Sequence, residues 1–184
     1  MSKIALTPNA SGTGTLTIAA PNTSTDRTLT LPDETGTVDT LSRAGNVLQV
    51  VQAQTNSSIA TTNTSDTASG FIASITPQSS SNKVLIMVNG GNYFNDTDSR
   101  EALTKMYRQI AGGGYSSLLS GEPVDIAGCY GGVLRISHSI CLLDSPGTTD
   151  QVYYQPYFRA SSGGTAYFNA STIYVTMTLM EIAA

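Results

Sequence analysis

Few residues in this sequence are of a type that could do chemistry, and their spacing limits them further. His138 is the only histidine in 184 residues. It stands in Leu134-x-Ile136-x-His138-x-Ile140-x-Leu142, in the middle of an alternating apolar face. Two readings fit that setting. One is a neutral, hydrogen-bonded imidazole in a core. The other places Ile136, His138 and Ile140 at a trimer interface near a threefold axis, where titration near pH 6 would tie assembly to pH. No G-x-S-x-G or comparable nucleophile motif accompanies the imidazole, so no catalytic residue is assigned. Cys129 and Cys141 flank the same region. The extended chain between them spans roughly 40 Å, against the ~7 Å between Cα atoms that a disulfide allows. A bridge would need a reversal at Gly131-Gly132. The spacing therefore predicts two free cysteines, buried as small hydrophobes in a protein made in a reducing cytoplasm.

Asn95-Asp96-Thr97-Asp98-Ser99-Arg100-Glu101 gathers three carboxylates. It resembles a fragment of a calcium loop but lacks the Gly and the third Asp/Asn of one, so a solvated loop is the expectation. With so little His and Cys, neither a metal site nor a cofactor is expected. Tyr153, Tyr154, Tyr157, Tyr167 and Tyr174 cluster towards the end of the chain. On neighbouring strands they would form an aromatic strip for sugar or protein contact, or else pack in a core or interface. Triplets such as Asn56-Ser57-Ser58 and Asn169-Ala170-Ser171 arise by chance, because about a quarter of the chain is Ser or Thr.

Composition excludes several partners. Charged residues make up 12% of the chain, and nine Lys and Arg against thirteen Asp and Glu leave a net charge of −4. Phosphate backbones are bound by clustered cations, so no nucleic-acid partner is expected. No run approaches the ~18 apolar residues of a membrane span, so no membrane insertion is expected. Met1 to Pro8 has one Lys and no apolar stretch behind it, which does not read as a signal peptide. Hydrophobic residues at 40% suffice for a core.

The elements that would position these residues read as strands. Thr15-Leu16-Thr17-Ile18 and Thr28-Leu29-Thr30-Leu31 alternate at period 2, with the threonines on the opposite face. The turn formers Pro21 to Asp26 separate them. Such a hairpin is marginal alone in water, so Leu16, Ile18, Leu29 and Leu31 are the expected partner-binding residues of an arm, residues 1–45. Beyond it, residues 46–184 read as one domain. Strands are expected at Val47 to Gln54, Gly70 to Thr76, Lys83 to Gly90, Leu134 to Leu143, Val152 to Ala160, Ala166 to Asn169 and Ile173 to Ile182. Thr55 to Ser69 reads as a long loop or an edge strand. Lys83 to Gly90 is apolar on both faces, the pattern of a strand buried on both sides. Leu103 to Ala111 suits a helix or a strand. The last strand puts Ile173, Val175, Met177 and Leu179 on one face. Short strands with turn signals every ~8–12 residues predict an all-β fold, an extended arm plus an antiparallel β-sandwich.

Two stretches carry a resemblance. Ser11-Gly12-Thr13-Gly14-Thr15-Leu16-Thr17-Ile18-Ala19-Ala20-Pro21-Asn22-Thr23, with Asp26-Arg27-Thr28-Leu29-Thr30-Leu31-Pro32-Asp33-Glu34-Thr35-Gly36-Thr37-Val38, resembles a segment recurrent in virion proteins of tailed bacteriophages. Ile75-Thr76-Pro77, Ser79 to Ile86 and the closing Thr176 to Ile182 are similar to modules of phage tail-fibre or structural proteins. The resemblance implies a homotrimeric β-sandwich, jelly-roll or tumour-necrosis-factor-like, made in the bacterial host cytoplasm and displayed on the virion surface. It carries over no catalytic residues. The function expected from it is a capsid decoration, or cement, protein that bridges subunits of the major capsid protein or another virion protein. The alternative is a short tail or head fibre, or a receptor-binding knob whose tyrosines meet host surface glycan. An enzyme is not expected.

Overall fold

The computed structural model describes residues 10–15, 17–19, 21–28, 43–119, 127–130, 135–170 and 173–184, with 127–130 described by backbone alone. The chain divides into two compact units, Met1–Thr37 and Val38–Ala184. In the first unit, Thr15, Thr17 and Ile18 lie outside any strand, and the Ile18 side chain is 81% exposed. A strand needs a partner ladder, and a short segment with two apolar side chains cannot supply one alone. Leu16, Leu29 and Leu31 lie outside the described residues.

The second unit is all β among its described residues. Its strands are β1 (Val47–Thr55), β2 (Ile59–Thr61), β3 (Thr67–Ala68), β4 (Ala73–Ile75), β5 (Lys83–Asn95), β6 (Glu101–Ile110), β7 (Ser116–Ser117), β8 (Ala127–Tyr130), β9 (Ile136–Asp144), β10 (Val152–Ala160), β11 (Ala166–Asn169) and β12 (Val175–Ile182). They form two antiparallel sheets. The first has the order β1-β12-β5-β11-β2, with β9 also paired to β5. The second has the order β3-β10-β6-β7, with β4 on β10 and β8 on β6. Together they make the expected antiparallel sandwich. Leu103 to Ala111 resolves to strand, since its inward positions Ala102, Thr104 and Met106 recur at period 2 and are fully buried.

Cross-strand register explains the core. On the inner face of the first sheet, Val51, Leu179, Ile86 and Leu142 form one row across β1, β12, β5 and β9. Ala53, Met177, Val88 and Ile140 form the next. Facing them from the second sheet are Ile75, Met106, Val152, Tyr154 and Phe158. Burying side chains of this size stabilises the fold by about 2 kcal/mol each. Ile173, expected on this face, precedes β12 and is exposed.

Two backbone devices shape the sheets. β5 does not stop at Gly90. It passes through Gly90 and Gly91, both at positive φ, and continues to Asn95. Three steps on β5, from Gly90 to Tyr93, match two on β9, from His138 to Ile136. The extra residue is a bulge, and it flips the inward phase from Val84, Ile86 and Val88 to Tyr93 and Asn95. In β10, Pro156 lacks an amide hydrogen. It falls where the neighbouring chain passes from β4 to β3, and there its carbonyl accepts from Ser69 N at 3.1 Å.

At Gly90 a Cβ would run into the Tyr174 carbonyl oxygen, whereas at Gly112, also at positive φ, it would meet open space. Gly90→Ala is expected to lower unfolding stability by about 3 kcal/mol, and Gly112→Ala by only about 1 kcal/mol. Urea unfolding followed by circular dichroism checks the difference. Equal losses would mean that the bulge relaxes freely.

Candidate functional site

The inward rows end in carboxylates. Continuing the period of β12 past Leu179 places Glu181 inward, opposite Gln49 and Val84. Continuing β9 past Leu142 places Asp144 inward, also opposite Val84. Glu181 is fully buried. It accepts from Gln49 Nε2, from Gln78 N at 2.7 Å and from Asn82 Nδ2 at 2.6 Å. Burial pushes its carboxyl up, but the hydrogen bonds from Asn82, Gln49, Gln78 and Ser79 together outweigh burial and hold it below its ordinary value. Asp144 accepts from Arg108 Nη1 at 2.9 Å on both oxygens and from Tyr154 Oη at 2.7 Å. Arg108 and Tyr154 come from the second sheet, so this ion pair joins the two sheets. The Tyr154 hydroxyl is pushed up by burial and by Asp144. Each carboxylate is committed to fixed donors, which makes both of them structural clasps.

His138 is 2% exposed within the single chain. Its Nε2 lies 2.8 Å from the Phe168 carbonyl oxygen, which assigns the proton to Nε2 as donor. Its ring packs between Tyr93 and Phe168, with centroids at 4.6 and 4.3 Å. Burial pulls its pKa down to about 4, which the Phe168 bond only partly offsets. Ile140 is equally buried, and Ile136 is half-buried against the core. His138 and Ile140 therefore have almost no side-chain surface to offer another copy. For these two residues the structure favours the core reading, and burial moves the imidazole's titration away from pH 6.

The Asn95–Glu101 loop is a latch. Asn95 Oδ1 accepts from Thr97 N at 3.0 Å, and Asp96 Oδ1 accepts from Thr165 N at 2.7 Å. The Thr165 amide is the main reason the Asp96 carboxyl sits below its ordinary value. Among the described residues, no group of three His, Cys, Asp or Glu side chains could hold a metal ion. Cys141 is free and exposed on the outer face of β9, not buried as expected, because its alternation phase opposes that of Ile140. Cys129 lies on β8, and its side chain is outside the described residues. A shallow groove of about 390 Å³, lined by Ala53 to Thr55, Ser57, Ile59 and Ser69 to Ile72, contains no titratable group.

The surface best equipped for recognition is the outer face of the second sheet. Tyr107 stacks on Tyr157 with centroids 4.0 Å apart, and Tyr115 lies 5.9 Å from Tyr157. Asp66 is the charged centre of this patch. It accepts from Tyr107 Oη at 2.8 Å and pairs with Lys105 and Arg159, each at 3.2 Å. Burial and then Asp66 raise the Tyr107 hydroxyl to about 12. Tyr115 is pushed up by burial too. The Tyr107 and Tyr115 hydroxyls stay protonated at ordinary pH, and the stacked rings are suited to contact with a sugar ring or an aromatic side chain.

Of the five tyrosines read from the sequence, only Tyr153 and Tyr157 lie on this face. Tyr154 is core, Tyr167 stacks on Phe94 at 4.7 Å, and Tyr174 is exposed before β12. Asp66, Lys105, Tyr107 and Tyr115 join the patch without being among the tyrosines that the sequence clusters. Lys105 and Tyr107 at period 2 on an ambiguous strand were the available signal.

No protein-family model matches the chain, and no curated protein matches it.

His138 generates a pH prediction. Its folded pKa lies below the ordinary 6.5, so the unfolded chain takes up the proton first. This contribution to stability is complete above pH 6.5 and is lost as pH falls towards 4, by about 3 kcal/mol in all. Between pH 7.5 and 4.5 the unfolding free energy of wild type should fall by about 2.5 kcal/mol more than that of His138→Gln. Parallel curves would show that the imidazole titrates in the fold as it does in the unfolded chain.

Proposed function

We propose that the chain is a bacteriophage virion structural protein, a capsid decoration protein that stabilises the head by bridging capsid subunits as a homotrimer. The observation that carries this reading is the division of the chain. A small unit shows an isoleucine, Ile18, at 81% exposure, while the core sits in a separate compact unit. An exposed apolar side chain in a Thr-rich segment is suited to adding contacts or a strand to another protein. The resemblance of that segment to phage virion proteins supports a virion partner, and the major capsid protein or a neighbouring virion protein is the partner proposed. The mechanism is energetic rather than catalytic. Each copy would bury apolar surface on more than one capsid subunit, and a closed trimer would multiply the attachment. The location is the virion surface, after synthesis in the bacterial cytoplasm.

One observation favours a second reading, a short fibre or receptor-binding knob. It is the Tyr107–Tyr157–Tyr115 patch around Asp66, whose chemistry suits host surface glycan.

Replacing the arm's apolar residues together, as Leu16→Asp, Ile18→Asp, Leu29→Asp and Leu31→Asp, is expected to weaken binding to undecorated heads at least about tenfold. The circular dichroism spectrum should remain that of wild type. Undiminished binding would overturn the decoration reading. Tyr157→Ala is expected to leave head binding unchanged. Loss of host-cell binding by this variant, with a copy number that follows the tail rather than the capsid lattice, would establish the knob instead.

A further inference from the structure

The sequence makes β5 apolar on both faces, but the single chain covers only one of them. Val84, Ile86 and Val88 point inward and are fully buried, while Leu85 and Met87 point outward. The outward face of an antiparallel sandwich is normally polar. Register extends the anomaly across four strands. Val50, Met180, Leu85 and Leu143 form one outward row on β1, β12, β5 and β9. Gln52, Thr178, Met87 and Cys141 form the next, and Gln54, Thr176, Asn89 and Ser139 the third. Val50 is 57% exposed and Leu143 58%.

We propose that this outer face of the first sheet is where copies of the chain associate. The occupant follows from charge and area. None of the twelve side chains is charged, on a chain whose net charge is −4. At these twelve positions a basic or acidic partner would find nothing to pair with; Lys83 borders them at the start of β5. Two acidic copies approach each other at least cost through an uncharged surface. The glutamines do not stand off the sheet to block such an approach. Gln52 Nε2 donates to Thr178 Oγ1 at 3.4 Å, and Gln54 Nε2 to Thr176 Oγ1 at 3.2 Å, which lays both side chains along it. With strands ~4.8 Å apart and same-face residues ~6.8 Å apart, the grid covers about 400 Å². That is roughly half of the ~800 Å² each partner gives a standard interface, the right size for its apolar centre. Along one side runs β1, which among the described residues pairs only with β12 and carries no charge, Pro or Gly to guard its open edge. The proposal rests on the reading that the chain self-assembles. It does not depend on where the assembly sits.

The test uses the full chain. Light scattering after gel filtration should give wild type a mass that is a multiple of 19.2 kDa. Val50→Glu with Leu143→Glu should return it to 19.2 kDa with an unchanged circular dichroism spectrum. Cys141, inside the grid, serves as an independent probe. Its alkylation by iodoacetamide, read by peptide mass spectrometry, should be at least about tenfold faster in the charged variant. Gln52→Glu with Gln54→Glu, at exposed positions, should act in the same way and stands in if the first variant does not fold. A monomeric wild type would overturn both self-assembly and this face. An oligomer unmoved by either pair would overturn the face alone. Dissociation by the fourfold arm variant, with the face intact, would make the arm the occupant and overturn the proposal too.

Discussion

The two-glycine bulge in β5 governs where the inward side chains of the first sheet fall. Before it, even-numbered residues face the core, and after it, odd-numbered ones do. The shift has a specific anchor. Gly91 N donates to the Tyr174 carbonyl at 3.0 Å, in space that a side chain at Gly90 would occupy. Opposite Gly90 sits His138. A side chain on Gly90 would crowd its neighbours, and without the phase change Tyr93 would not turn inward to meet the imidazole. Asn95 would not turn inward either, and its Nδ2 bonds to the Glu101 and Gly163 carbonyls hold the β5–β6 connection. One extra residue thus sets the buried histidine, the aromatic pair around it and the latch loop together.

The same period that packs the core also delivers its polar ends. Val175, Met177, Leu179 and Glu181 form a single inward series, and so do His138, Ile140, Leu142 and Asp144. At the last step of each, the sandwich admits a carboxylate because fixed donors wait there. Asn82, Gln49 and the Gln78 amide meet Glu181, and Arg108 and Tyr154 meet Asp144. Such groups cost several kcal/mol if left unpaired, so they fix which ends of which strands must meet. His138 follows the opposite logic. It has a carbonyl acceptor and two aromatic rings but no carboxylate partner, and it is held neutral.

Much of this was legible in the sequence. The all-β class, the extents of β1, β9, β10 and β11, and the apolar alternation around His138 follow from period-2 patterning alone. Gly90-Gly91 misleads a reader, because paired glycines signal a stop, and only the partner strand's register reveals a bulge. Glu181 and Asp144 were readable in principle, since extending the periods by one step puts them inside. Their donors were not, because Asn82, Gln78 and Arg108 come from distant parts of the chain. The tyrosine patch was half legible. Adjacent tyrosines on one strand must face opposite ways, so Tyr153 and Tyr154 could never share a face. What assembles the patch is the pairing of β6 with β10, which brings Tyr107 beside Tyr157.

The low charge of the chain is unevenly used, and the two outer faces of the sandwich differ because of it. On the second sheet, Asp66, Lys105 and Arg159 gather beside stacked tyrosines, and Asp66 holds the Tyr107 hydroxyl in a hydrogen bond. On the first, three rows across four strands contain no charge at all. The two surfaces belong to opposite sides of one sandwich, so a partner on one leaves the other free. A surface of fixed dipoles and ring faces recognises a partner by geometry and tolerates water at its margins. A flat apolar grid has no such directionality and gains mainly from excluding water. Assembly with copies is the task suited to the second kind of surface, because symmetry supplies the orientation that the side chains do not. The tyrosine face would then be repeated outward around the assembly, where several weak contacts act as one strong one.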